Sequence, residues 1–443
     1  MSRIIETTLG KLRGVEMDGY TVYRGVPYGT PPVGALRWKA PQPAKPWEGV
    51  YEAARFGNIA VQELPTDDNP FTAKYKREFY SDPAFIPPMS EDCLYLNLWV
   101  PEREEGERCP VAFWIHGGGF SGGYSSELEF DGEAFCKQGV IFVSMGYRCG
   151  VFGFLAHPWL DAENPRHISG NYGILDQILA LQWVHDNAAA FGGDPENITV
   201  FGQSAGAMST QVLVSSPLTG SIPAKAILQS GIQCESDFLY CPTLAEEEQL
   251  GKRYIELTGA ESLKALRAMT AEELMACKPA FDREAFQAGK GLVLVPNVDG
   301  YVLADTVRGI YRDGKMKPIP YMSGCVTDDL GSTPEELAER KPGVLLEESK
   351  RWSLKCEALG LNSYVYYFRH ELPDEGGKAV PSFHSAEIWY MQGTLDRCWR
   401  PMTGEDRTVS KEMVTAWANF MRTGSPGPAW PAYRADNPFV KVF

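Results

Sequence analysis

Gly202-Gln203-Ser204-Ala205-Gly206 sets a serine between two glycines, after an apolar run at 198–201 and before a small-residue stretch at 205–214. That order reads as strand, sharp turn, helix. A serine on such a turn holds a strained backbone, which the glycines make tolerable by letting strand and helix come close, and its hydroxyl stands clear of the sheet, free to attack. The motif alone is weak, since a chain of 443 residues with 44 glycines supplies about 0.2 such matches by chance. Its partners have to carry the inference.

A serine nucleophile needs an oxyanion site and a base. His116-Gly117-Gly118-Gly119-Phe120 directly follows the apolar run 111–115, and a glycine loop there offers backbone N–H groups to a tetrahedral oxyanion where a Cβ would collide. The same loop fits a dinucleotide fingerprint through Gly117, Gly119 and Gly122. However, no helix is read from Gly122, and the next strand ends in Ser144-Met145-Gly146 without an acid to hold a ribose. On sheet hydrolases the chain order is serine, acid, histidine. Of six histidines, only His370 and His384 lie beyond Ser204 with room for an acid between. His370 ends the last strong strand, whereas His384 sits on the loop after it, where a base can reach over the sheet edge; His384 is the expected base and His370 the alternative. The acid should follow the core strand at 319–323, which leaves Asp328 and Asp329, adjacent carboxylates that point opposite ways.

The elements that must position these groups show as an alternation. Apolar runs at 111–115, 140–143, 198–201, 226–228, 319–322 and 363–368 have the pattern of strands buried on both faces of a mostly parallel sheet. Helices are expected over 172–190, with Asp176 in the first turn, and over 243–267, 270–277 and 409–423; a further strand-like run lies at 293–295. The first 105 residues or so mix short β runs at 20–23 and 94–100 with Pro and Gly turns, as in an antiparallel N-terminal region, and no linker or repeat follows them. Residues 1–443 are expected to form one α/β domain, a central twisted sheet flanked by helices.

Composition narrows the function classes. At 44% hydrophobic and 12% aromatic, the chain can bury a large core. A net charge of −15 argues against nucleic-acid and anionic-membrane partners, which want clustered Lys and Arg, and leaves a small uncharged or cationic ligand. No export-signal pattern and no long apolar run is read, so a cytoplasmic setting is expected. The ten cysteines include no C-x-x-C pair and suggest neither a zinc site nor a disulfide framework, so no metal is expected. Oligomeric state is not legible.

Longer stretches carry a resemblance. Tyr23-Arg24-Gly25-Val26-Pro27-Tyr28, Glu91-Asp92-Cys93-Leu94-Tyr95-Leu96-Asn97, the His116 loop, Gly150-Val151-Phe152-Gly153, Gly170-Asn171-Tyr172-Gly173, Phe191-Gly192-Gly193-Asp194 and Gln229-Ser230-Gly231 together resemble the type-B carboxylesterase/lipase family, the relatives of the cholinesterases. The likeness resumes at Phe383-His384-Ser385-Ala386-Glu387. It implies an α/β-hydrolase fold and hydrolysis of small carboxylic esters without a cofactor. It also implies His384 as base, Asp329 as acid, and an oxyanion held by the N–H groups of Gly118, Gly119 and Ala205. Phe120, Met208, Trp389 and Tyr390 are candidate walls of the substrate pocket.

Departures from the family pattern matter. Members usually read Asp-Glu-Gly where this chain has Asp328-Asp329-Leu330, so the acid is one methylene shorter. Many secreted relatives bridge the cysteine matching Cys93 to one in the preceding loop, but here that loop, 56–62, has none. Only 55 positions separate Asp329 from His384, a shortened connection that implies a more open site. The family also includes adhesion proteins that keep the fold without the nucleophile; the presence of Ser204, three glycines and His384 favours an enzyme over a silent binding scaffold.

Overall fold

The apolar runs lie side by side in one sheet, and they are apolar throughout because both faces are covered. The computed structural model describes residues 4–104, 106–236, 241–339 and 341–443. In chain order the strands of the sheet are β1 (Val15–Met17), β2 (Tyr20–Pro27), β3 (Tyr95–Pro101), β4 (Cys109–Ile115), β5 (Ile141–Met145), β6 (Gly193–Gln203), β7 (Pro223–Gln229), β8 (Tyr321–Val326), β9 (Ser363–Phe368) and β10 (Val440–Val442). Across the sheet they run β10-β9-β8-β7-β6-β4-β5-β3-β2-β1. Neighbours from β10 to β5 are parallel, and β3, β2 and β1 join as the antiparallel margin expected of the N-terminal region.

Helices that bear on the site are α1 (Pro70–Phe79), α2 (Tyr172–Asn187), α3 (Ala205–Ser215), α4 (Leu244–Thr258), α5 (Glu387–Gln392) and α6 (Gly404–Thr423). Successive strand residues serve opposite cores. Val111, Phe113 and Ile115 pack with Ile174 and Leu181 of α2 and Val212 and Leu213 of α3. Ala112 and Trp114 pack with Trp389 of α5 and Trp417 and Phe420 of α6. Among the described residues no helix is long and apolar enough to cross a membrane. All ten cysteines are free.

Several expected boundaries move, each for a local reason. The helix expected over 243–267 breaks at Gly259, which adopts φ 70° and ends α4; a second helix, Leu263–Ala268, restarts from a Ser262 cap. The strand expected from 319 begins at Tyr321, because Pro318 and Pro320 have no N–H to give a ladder. Residues 293–295 form no strand; Leu294 turns the chain at φ 53°. The last helix starts at Gly404 rather than 409, under a Thr403–Asp406 capping box. Asp176 lies beyond the first turn of α2, buried, where its carboxylate accepts from Arg148 Nη2 (2.7 Å) and Nε (2.8 Å) and ties the helix to the chain after β5.

The turn after β6 rests on contact between backbones. A Cβ on Gly206 would lie 2.1 Å from the Ile115 carbonyl oxygen, and one on Gly202 would lie 2.5 Å from the Gly206 backbone. Gly206→Ala should therefore lower stability by about 3 kcal/mol in chemical denaturation. Gly404→Ala, with nothing within 4 Å of the new methyl, should leave the melting temperature unchanged or slightly raised.

Candidate active site

Parallel strands bring their carboxyl ends to one edge, and here the backbone stitches those ends together. The Ser204 N–H donates to Gln229 O (2.8 Å), Ser230 N–H to Gly324 O (2.8 Å), Asp328 N–H to Ser382 O (2.8 Å) and His384 N–H to Asp328 O (3.0 Å). Ser204, Ser230, Asp329 and His384 thus meet although far apart in sequence. Ser204 itself sits at φ 58°, ψ −128°, a conformation that a residue with a side chain rarely adopts. α3 begins at the next residue, so the Ala205 N–H belongs to the helix end whose donors find no partner within the helix.

Asp329 is the carboxylate against the imidazole, its Oδ1 lying 2.5 Å from His384 Nδ1. Oδ1 also accepts from the Leu330 N–H (2.8 Å), and Oδ2 accepts from the Ser230 hydroxyl (2.6 Å) and the Val326 N–H (3.0 Å). A carboxylate only accepts, so Nδ1 carries the ring proton and Nε2 presents its lone pair. The Tyr75 hydroxyl, on α1, donates to the His384 carbonyl at 3.1 Å. Asp328 is turned away: it lines a separate cavity with Lys74 and Arg400. His370, the alternative base, is engaged elsewhere, with Nε2 2.8 Å from Asp406 Oδ1.

Ser204 and His384 line one cavity of about 540 Å³, together with Gly118, Gly119, Ser230, Met208, Tyr75, Tyr80, Leu292 and Leu330. Gly118 has φ +97°, and a Cβ there would fall 2.4 Å from Gly122 O, so only glycine fits. Gln62 clamps the far end of the loop, accepting from the Gly123 N–H (2.7 Å) and donating to Gly123 O (3.0 Å). At the near end, His116 is fully buried and stacked on Tyr147 at 4.3 Å. Its Nδ1–H donates to Gly117 O (2.9 Å), and burial pushes the imidazole down to about 4, so it braces the loop as a neutral ring.

The expected walls need correction. Met208 lines the cavity, but Phe120 is buried beside a separate small void. Trp389 and Tyr390 belong to the core under the opposite face. Trp389 stacks on Phe79 (5.8 Å), and the Tyr390 hydroxyl donates to Asp406 (2.6 Å). Every residue of α5 is buried, so its apolar sequence carries no sign of which residues would face a ligand. Tyr75, Tyr80, Leu292 and Leu330 supply the walls instead, and only their fold neighbours reveal it.

Burial and, after it, the charge of Asp329 push the Glu387 carboxyl up to about 8, and burial, with a smaller part from the charge of Glu246, pushes Glu247 to about 8. A folded-state value above the ordinary 4.5 means the folded protein keeps a proton that the unfolded chain has released. Stability from this source is lost as pH rises from about 4.5 to about 8. Thermal melts should fall across that window, and Glu387→Gln, which cannot ionise, should flatten the decline.

The sequence profile of the carboxylesterase family matches residues 1–353 and 344–442. The chain is 38% identical over 323 residues to the fumonisin B1 esterase of Sphingopyxis macrogoltabida, a match covering 73% of this chain and 55% of that protein, so it spans about half of that relative's length. It is 31% identical to the para-nitrobenzyl esterase of Bacillus subtilis, over 98% of this chain and 93% of that one. A solved thermophilic para-nitrobenzyl esterase superposes with a TM-score of 0.82 at 28% identity, covering 100% of this chain and 96% of its own.

Proposed function

Because the chain belongs to the carboxylesterase family and shares the α/β-hydrolase fold of its structural neighbours, it is a carboxylic ester hydrolase, and we propose that it works by two-step acyl transfer through Ser204. In this reading His384 is the base, Asp329 orients it, and the N–H groups of Gly118, Gly119 and Ala205 receive the oxyanion. The observation that carries it is the 2.5 Å contact of Asp329 with His384 Nδ1, which leaves Nε2 as an acceptor in the cavity that Ser204 lines.

The steps follow from these groups. His384 Nε2 takes the hydroxyl proton as Ser204 Oγ attacks the ester carbonyl. The tetrahedral oxyanion is held by the backbone donors, each contributing about 3 kcal/mol. His384 returns the proton to the departing alcohol, and water repeats the sequence on the acyl-enzyme. Asp329 holds the ring's tautomer and stabilises the transient imidazolium without taking the proton. Tyr75, Tyr80, Met208, Leu292 and Leu330 give the cavity mostly apolar walls, which suit uncharged esters with an apolar acyl or alcohol part.

A fluorophosphonate probe should label Ser204 stoichiometrically, and Ser204→Ala should abolish labelling in intact-mass and peptide mass spectrometry. An adduct on another serine would overturn the assignment. Steady-state kinetics on a chromogenic ester test the partners. His384→Ala should lower kcat by several orders of magnitude and His370→Ala little, while Asp329→Asn should lower kcat by up to about 10⁴ and Asp328→Asn by less than about tenfold. A larger loss at Asp328 would move the acid there.

A further inference from the structure

Gly119, Ser121, Gly291 and Leu292 each line two cavities, the one that Ser204 and His384 share and a second, of about 330 Å³, beside it. The acyl-transfer steps give the second one no part. Of the four shared residues only Ser121 and Leu292 carry side chains, and the Ser121 hydroxyl is taken by Gly118 O (3.3 Å). Leu292 lies across the glycine loop: a Cβ on Gly119 would stand 3.3 Å from its Cδ2, and a Cβ on Gly291 would meet nothing within 4 Å. A leucine that is 48% exposed, on a stretch outside helix and strand, has little packing to hold its rotamer. Leu292 is therefore the part of the boundary that can move.

The second cavity is built from apolar groups, and its polar neighbours are already satisfied. Val61, Val151, Met275 and Val293 line it with the ring of Tyr254, whose hydroxyl donates to the Leu274 carbonyl at 2.9 Å. Lys278 is held between Asp282 and Glu63, the latter at 3.5 Å. Lys290 is exposed, so water screens its charge. Among the described lining residues, then, no buried and unmatched charge selects an ionic ligand. Phe286, on the helix Lys278–Gln287, lines the same cavity at 81% exposure. Single exposed apolar residues are ordinary, but Phe286 and Leu292 line one cavity next to that of Ser204.

We infer that this cavity is a second substrate subsite, which takes the far end of a long apolar arm of the ester once Leu292 has turned aside. The inference rests on the acyl-transfer reading of Ser204 given above. An ester whose carbonyl oxygen sits at Gly118 and Gly119 is already beside the boundary, because Gly119 lines both cavities. A short arm ends in the first cavity. A longer one continues past Leu292 and exchanges contact with water for contact with Met275, Val293 and Phe286. Each methylene buried in this way raises kcat/KM by up to about fourfold, since it is buried in the transition state as well as in the bound ester.

The test compares kcat/KM over two ester series in the full-length protein: p-nitrophenyl acetate, butyrate and octanoate lengthen the acyl arm, and ethyl, butyl and octyl acetate lengthen the alcohol arm. At least one series should rise with length, and the one that rises identifies the arm that enters. In that series the ratio of the longest ester to the middle one should exceed about tenfold in the parent protein. Met275→Trp, which fills the second cavity, should lower that ratio by about tenfold, and Phe286→Ser, which removes an apolar wall from a surface helix, by about threefold. A ratio left unchanged by Met275→Trp overturns the inference, and so does a parent protein that favours the shorter esters in both series. Should thermal melts show that Met275→Trp is unfolded, Phe286→Ser decides by the same ratio. Failure of the underlying reading is distinct: the parent protein would then carry no fluorophosphonate adduct on Ser204.

Discussion

A contact between bare backbones underlies the site. Gly206, in the first turn of α3, lies so close to the Ile115 carbonyl at the end of β4 that no side-chain carbon fits between them. That approach lets β6 stop, reverse into α3 and hold Ser204 at φ 58°. The strain is local, but the restraint is not, because the Ser204 N–H is held by β7 and Ser230 by β8. The sheet keeps the serine in a conformation it would leave if free, and the same restraint brings the N-terminus of α3 up to Ser204.

The carboxylate beside the imidazole illustrates how a shorter side chain is accommodated. Asp329 lacks one methylene relative to the glutamate usual in the family, yet it reaches the imidazole because residues 328 and 382–384 pair through their backbones. Four donors then surround the carboxylate: the imidazole, the Ser230 hydroxyl and two backbone N–H groups. Such a buried carboxylate has its lone pairs occupied and its rotamer fixed, which a charge needs when removed from water. Leu330 contributes both one of those N–H groups and a wall of the cavity.

The parts of this arrangement that obey short-range rules were readable in the chain. The serine turn, the glycine loop and the buried strands carry their reasons within a few residues of sequence. His384 could be reached by chain order and loop position, but the choice between Asp328 and Asp329 needed either a family resemblance or coordinates, since adjacent residues differ only in the side they face. Ser230 and Tyr75 were out of reach as site residues, because their roles arise from contacts spanning 99 and 309 positions. The error at Trp389 and Tyr390 has the same origin: aromatic residues near a catalytic histidine are as easily core as wall, and periodicity cannot separate them where every position of a short helix is buried.

The N-terminal region braces the candidate site as well as forming a margin of the sheet. α1 lies against the loop that carries His384, with the Tyr75 hydroxyl bonded to the His384 carbonyl and its ring 6.3 Å from that of Phe383. Phe79 meets both Phe383 and Trp389, and Glu78, buried on the same helix, pairs with Arg400. With His384 only 55 positions beyond Asp329, the chain has little material of its own to brace the histidine loop from that side. The brace comes instead from a helix three hundred positions earlier. A loop held by aromatic packing on one face and a backbone bridge on the other keeps the His384 imidazole within hydrogen-bond reach of Asp329 without a longer connection.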